Sequence, residues 1–167
     1  MNINTIVIRN IIRNPLQSML VNPARNWHIN PARNWQINPA RNWHINPARN
    51  WQINPARNWL IDPARNMQID PRRNILIDPI RSFNIQGFFI CSVADYGCYY
   101  FTVKSQTQDE FLIFDSNKNF CYFAVGNLDC YAVFSSVDMS YVGTLCPNGA
   151  GRYNWFSQNV EWLYFFT

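Results

Sequence analysis

Hydrophobic and polar residues recur in blocks of eight along the first half of the chain. Residues 22–61 contain five consecutive copies of NPARNWxI, and less regular copies extend back to residue 6 and forward to residue 85. A proline in every block excludes an α-helix, because each one removes a backbone hydrogen bond at a cost of roughly 3 kcal/mol. The pattern therefore predicts turns and short strands.

Each octad predicts a turn at Asn-Pro followed by a strand of four residues. Alternate side chains of a strand point to opposite faces, so Trp and Ile, two positions apart, should share the inner face. This prediction gives a structural core that consists of Trp27, Trp35, Trp43, Trp51, Trp59, Ile29, Ile37, Ile45, Ile53 and Ile61.

The seventh residue of the octad suggests how the strands stack. It reads His28, Gln36, His44 and Gln52 in successive copies, and Gln68 continues the alternation. A period of sixteen residues favours a β-solenoid with two octads in each coil, one on each of two sheets. A long antiparallel meander is the alternative, and recent duplication explains the identical copies but not the alternation in diverged ones.

The second half of the chain has short aromatic-rich runs separated by turn residues, among them CYYFTV, EFLIFD and FCYFAV. Such runs predict a small antiparallel β domain built from hairpins and closed by a terminal strand from Trp162 to Phe166. The chain is therefore expected to be all-β, with an octapeptide-repeat solenoid in residues 1–85 and an antiparallel domain in residues 86–167 that caps it. The octad near residue 6 would remain uncapped and allow self-assembly.

Charge divides the chain at the same place. Eleven basic and three acidic residues precede residue 86, whereas three basic and seven acidic residues follow it. A regular row of arginines suits a polyanion such as nucleic acid, bound without regard to sequence. Its candidate contacts are Arg25, Arg33, Arg41, Arg49, Arg57, Arg65, Arg73 and Arg81.

The arginines also have a purely structural interpretation, which we favour. Their guanidinium groups would lie over turn carbonyls and neighbouring rings, with water and salt screening the remaining charge. Asp62, Asp70 and Asp78 replace the leading Asn in the last three octads and are placed to pair with arginines there.

The cysteines and the N-terminus both suggest a cytoplasmic protein. The five cysteines are odd in number and form no CxxC pair, which favours thiols in a reducing compartment over a disulfide framework. The N-terminal stretch is interrupted by Arg9 and Arg13 and lacks the apolar run of a signal peptide or a membrane span.

Residues that support catalysis are not evident in the sequence. His28 and His44 are the only histidines and occupy equivalent places in identical octads, where they make a poor metal site. No catalytic, cofactor or metal residue is assigned, and an enzyme is not expected. We expect a structural or interaction protein that binds a protein partner or itself, with polyanion binding as an alternative.

The octads resemble proteins with tandem N/D-P-x-R-N-x-x-I octapeptides, a resemblance that implies architecture only. The spaced aromatics of the second half resemble the hairpin repeats of cell-surface glycan-binding modules, from which no site is transferred. Glycan recognition by this half is a further alternative. Its candidate ligand aromatics are Tyr141, Trp155 and Trp162.

Overall fold

The structure is a computed structural model that describes residues 14–82, 87–104, 110–126 and 129–167. Its strands form one closed antiparallel barrel in which every strand pairs with its sequence neighbours and β1 pairs with β8. The strands are β1 (Phe89–Ser92), β2 (Cys98–Lys104), β3 (Glu110–Asp115), β4 (Phe120–Gly126), β5 (Tyr131–Ser135), β6 (Tyr141–Pro147), β7 (Tyr153–Ser157) and β8 (Trp162–Phe166).

The octads, residues 14–82, contain no strand and are called the octad segment below. Each complete octad from residue 22 to residue 77 has a turn at Asn-Pro or Asp-Pro and then a single turn of 3-10 helix. The 3-10 turns are Trp27–Ile29, Trp35–Ile37, Trp43–Ile45, Trp51–Ile53, Trp59–Ile61, Met67–Ile69 and Ile75–Ile77.

Two side chains build each of these octads, namely the leading Asn or Asp and the Asn at the fifth place. The side-chain oxygen of Asn38 accepts from Ala40 N at 2.9 Å, and its carbonyl accepts from Asn42 N at 2.8 Å, which closes the first turn. Asn42 then caps the 3-10 turn, because its side-chain oxygen accepts from His44 N at 3.2 Å. Its amide reaches back to the carbonyl of Gln36 at 2.7 Å and fixes one octad against the previous one.

The predicted β-solenoid is therefore wrong, although the all-β class stands. A solenoid needs backbone ladders between coils, but here asparagine side chains link successive octads. The local reason is the asparagine at the fifth place of the octad. Its side chain caps a 3-10 turn formed by the next three residues, which therefore do not form a strand. The uncapped octad near residue 6 lies outside the described residues.

The barrel strands are apolar on both faces. The inner face contains Ile113, Ala124, Val133, Leu145 and Trp155 in one buried cluster. An eight-stranded barrel has an interior that side chains can fill, and here the filling is largely aromatic. Burial raises the pKa of Tyr100 in this interior, and the neighbouring Tyr122 and Tyr164 raise it further.

The outer face of the barrel is covered by the octad segment. Val21 packs with Cys91 of β1 and Phe165 of β8, and Ile37 and Ile45 pack in a second cluster with residues of β6 and β7. Ile77 joins a third cluster drawn from β2 to β5. The octads thus run around the barrel from β8 towards β2. The antiparallel domain was expected to cap one end of the octads, but it contacts them along their length instead.

Polar contacts fix this interface in place. The buried Asn154 of β7 donates to the carbonyl of Val21 at 2.7 Å, and Gly149 N donates to the carbonyl of Leu20 at 2.6 Å. Buried polar groups need partners, so these bonds specify where the octads lie on the barrel.

Candidate functional site

The octad segment has an apolar inner face and a chemically rich outer face. Isoleucine and proline point to the barrel: Ile29, Ile37 and Ile45 are buried, while Ile53 and Ile61 are half-buried. The tryptophans point away from it and are 51 to 56% exposed. The outward tryptophans are Trp27, Trp35, Trp43, Trp51 and Trp59.

The prediction that these five indoles form a core is therefore wrong. It assumed a strand, in which residues two apart share a face. In a 3-10 turn, with three residues per turn, successive side chains are separated by about 120°, so residues two apart point in different directions. Trp43 and Ile45 follow this rule, because Ile45 packs on the barrel while Trp43 faces solvent.

The arginines divide into two groups. Residues 22–61, called the Asn octads, contain no acidic residue. Within the described part of the chain, the side chains of Arg33, Arg41, Arg49 and Arg57 are exposed and make no hydrogen bond or ion pair, whereas that of Arg25 donates to the carbonyl of Gln17. Together with the five indoles, these five arginines form what we call the Trp–Arg face.

The arginines of residues 62–82, called the Asp octads, are held by carboxylates. Arg65 Nε lies 2.7 Å from Asp62, and Arg81 Nε lies 2.5 Å from Asp78. Asp70 is 3% exposed and receives both Arg72 at 2.7 Å and Arg73 at 2.8 Å. The expected pairing of these aspartates with arginines is thus present.

Asp70 is the most strongly held of these carboxylates. Burial by itself would raise its pKa, but hydrogen bonds from Arg72 and Arg73 outweigh burial and lower the pKa below the ordinary value of 3.8. The group is therefore charged throughout the neutral range, and its charge contributes to the stability of the octads.

The two kinds of octad satisfy the same backbone group in different ways. In three of the Asn octads the leading asparagine donates to the proline carbonyl of the previous octad, as Asn38 does to Pro31 at 2.9 Å. A carboxylate cannot donate, and in the Asp octads the paired arginine does so instead, as Arg73 does to Pro63 at 2.8 Å. The arginine is structural in the Asp octads and available to a ligand in the Asn octads.

A surface cleft of about 500 Å³ lies at the edge of the Trp–Arg face. Trp35, Gln36, His28, His44 and Asp129 are among the residues that line it. The imidazoles of His28 and His44 stack on the indoles that precede them, with ring centroids 3.8 Å apart. Because three consecutive octads line one cleft, they lie side by side and not on opposite sheets.

The three predicted glycan contacts do not form one platform. Trp155 is 2% exposed and lies inside the barrel. Tyr141 lies between the octads and the barrel, where it lines a cavity of about 180 Å³ and its hydroxyl bonds to Thr144. Trp162 is half-buried in the outer clusters and donates to the carbonyl of Tyr164 at 3.0 Å.

The cysteines differ from the expectation of thiols alone. Cys91 and Cys98 form a disulfide across the β1–β2 hairpin, whereas Cys121, Cys130 and Cys146 are thiols. The sequence separation of seven gave no indication of this pairing, which depends on the register of two strands. The cysteines therefore no longer indicate a reducing compartment.

The Trp–Arg face was missed because the tryptophans were assigned to the core. One signal in the sequence pointed the other way: strands such as FLIF and YAVF are apolar without alternation, as in strands buried on both faces. Such strands need an apolar cover, and the isoleucines and prolines of the octads suffice for it. The indoles were therefore not required inside.

The fold and its outer face define a closed β-barrel wrapped by octapeptide turns that present a row of indoles and arginines. No family model, no curated protein and no solved structure matches this chain. In the part of the chain that the structure describes, no group of three His, Cys, Asp or Glu side chains converges as around a metal ion. Nor do those residues include a helix with the length and apolar character needed to cross a membrane.

Proposed function

We propose that this protein is a non-catalytic binding protein whose Asn octads hold a polyanionic polymer along the Trp–Arg face. One observation supports this most directly. Arg33, Arg41 and Arg49 are exposed without a partner among the described residues, on the same backbone that elsewhere pairs its arginines with aspartate. Polyanion binding was the alternative expected from the sequence, and we now prefer it to the binding of a protein partner.

Electrostatics gives the reason for this choice of partner. Like charges in a row repel one another, and residues 22–61 provide five arginines with no carboxylate between them. A polymer of phosphate or sulfate groups relieves that repulsion and releases its own counterions on binding. Arginine also forms paired hydrogen bonds with such oxyanions, which lysine does not.

A salt titration tests the proposal. Five arginine contacts to a single-stranded polymer predict that the logarithm of the affinity falls with the logarithm of salt concentration with a slope of about −3.5. Retention on immobilised heparin and fluorescence anisotropy with labelled polyphosphate are suitable measurements. Elution at the lowest salt from both polymers would contradict the proposal.

Two single substitutions distinguish binding by the Trp–Arg face from attraction by the net charge of the protein. Arg41→Gln and Lys118→Gln each remove one positive charge, but only Arg41 belongs to the Trp–Arg face, whereas Lys118 lies in the β3–β4 turn. We expect Arg41→Gln to reduce the salt slope by about 0.7 and Lys118→Gln to leave it unchanged. Equal effects of the two substitutions would mean that net charge alone attracts the polymer.

A further inference from the structure

We propose that the polymer bound by the Trp–Arg face is a single-stranded nucleic acid, whose bases stack on the exposed indoles. This inference rests on the proposed function and adds the substrate class. Its basis is the coincidence of two features: indoles and arginines without a carboxylate partner occur in the same five octads, 22–61, and both are absent from the Asp octads. Met67 and Ile75 replace the tryptophans where aspartate neutralises the arginines.

An exposed indole is unfavourable in water, because a Trp side chain has about 150 to 250 Å² of surface that could be buried. A row of five in adjacent octads is an apolar surface of the kind that marks a binding site. A sulfated polymer would use the arginines and leave the indoles without a role. A single strand uses both, because its bases present flat aromatic faces while its phosphates meet the arginines.

Duplex nucleic acid fits the face less well. In a duplex the faces of the bases are stacked on one another, and the phosphates alone are accessible to this surface. The turns of the octads also offer no helix or ribbon that could enter a major groove. The face therefore favours single strands over duplexes and is expected to be tolerant of sequence, since every base has a face that can stack.

The cleft beside Trp35 identifies a place for one base. The side chain of Gln36 and the imidazole of His44 line it and could form hydrogen bonds with a base edge. Among the described residues that line the cleft, Asp129 alone is acidic; it would repel a phosphate, but a carboxylate accepts from the amino groups of bases. We therefore place a base in the cleft and the phosphates along the arginines.

The test compares three probes, namely labelled oligothymidine, a duplex of equal length and heparin, in fluorescence anisotropy with the full chain. The variant Trp35→Met/Trp51→Met removes two indoles and copies a residue that the octad backbone already accommodates at Met67. The control Ile75→Met changes an exposed apolar residue outside the face. Circular dichroism of each variant verifies that it is folded.

We expect oligothymidine to bind more tightly than the duplex and to quench tryptophan fluorescence. The double variant should lose at least about 25-fold in affinity for oligothymidine, since each stacked base contributes about 5-fold or more, and it should retain its affinity for heparin. The control should bind all three probes like the wild type. A folded double variant with unchanged affinity for oligothymidine, or equal affinity of the wild type for the duplex, overturns the inference while the proposed function stands. Failure to bind any of the three probes overturns both.

Discussion

The Asn octads and the Asp octads share one backbone and differ in what they offer to solvent. In both, a capping asparagine folds the residues after it into a 3-10 turn and an isoleucine points to the barrel. The proline carbonyl of the previous octad is bound by a leading asparagine in Asn octads such as that of Asn38, and by an ion-paired arginine in the Asp octads. The comparison shows that the arginine can be structural or available without any change in the fold.

The shared part of the comparison predicts the largest effects. Ile45→Ala and Ile77→Ala, one in each kind of octad, should each lower the free energy of unfolding by about 2–5 kcal/mol, because both side chains are buried against the barrel. Trp43→Ala and Ile75→Ala, at exposed positions, should cost less than about 1 kcal/mol. Urea unfolding measures all four, and a larger loss from Trp43→Ala than from Ile45→Ala would reverse the assignment of the faces.

Conversion of one kind of octad into the other should abolish most binding. The quadruple substitution of asparagine by aspartate at Asn30, Asn38, Asn46 and Asn54 gives each octad the carboxylate that Asp62 supplies to Arg65. The fold should persist, and the salt slope of polyanion binding should fall from about −3.5 to about −0.7. The matched quadruple change to serine, which adds no charge, should retain the arginine contacts if it folds. Undiminished binding by a folded aspartate variant would show that the arginines are not the contacts.

The reverse substitution, of aspartate by asparagine, tests the ion pairs of the Asp octads. Asp70→Asn should fold, because an asparagine amide can donate to the carbonyl of Pro63 as Asn38 does to Pro31. It should lower stability at neutral pH by about 1 kcal/mol, a discounted figure because Arg72 and Arg73 remain half in water. Urea unfolding of wild type and variant at several pH values gives the difference.

The pH dependence of that difference has a definite sign. The pKa of Asp70 in the folded protein is below 3.8, so its stabilising effect is complete above pH 3.8 and is lost as the pH falls through the folded value. The advantage of the wild type over Asp70→Asn should therefore shrink in acid and not in alkali. A difference that is constant from neutral pH to well below 3.8 would mean that the carboxylate gains nothing from its arginines.

The smallest effect concerns the cysteines and leaves binding unchanged. Without a reductant, unfolded protein should react with a thiol reagent at three sites, and at five after reduction, because Cys91 and Cys98 are bonded. In the folded protein the half-buried Cys121 should react first, while Cys130 and Cys146 are buried and should react only on unfolding. Mass spectrometry of the labelled chain locates each modification, and five reactive thiols without a reductant would exclude the disulfide.

The turns and ion pairs of the octads were predictable, but the directions in which the Trp and Ile side chains point were not. Proline and the leading asparagine were recognised as a turn, and the pairing of Asp62 with Arg65 was anticipated. The capping role of the fifth residue, as in Asn42, was overlooked, and with it the change from a strand to a 3-10 turn that separates Trp43 from Ile45. A period of eight residues fits both geometries, so periodicity alone did not decide between them.

The antiparallel class of the second half was predictable, and its last strand was expected to close the domain. Aromatic runs and turns indicated antiparallel hairpins, and eight strands pair in that way. The partner of that last strand was not predictable, because β8 pairs with β1 at the other end of the segment, a contact that no local pattern encodes. The octad cover likewise depends on which apolar surface each isoleucine meets in three dimensions.

The outward direction of the indoles is the central claim, and quenching of tryptophan fluorescence by iodide tests it most directly. Five of the seven tryptophans are half-exposed beside arginines that attract an anion. The folded protein should therefore emit at long wavelength, most of its emission should be quenched by iodide, and unfolding in urea should shift the spectrum little. Emission at short wavelength that iodide cannot reach until the chain unfolds would place the indoles in the interior and contradict the account.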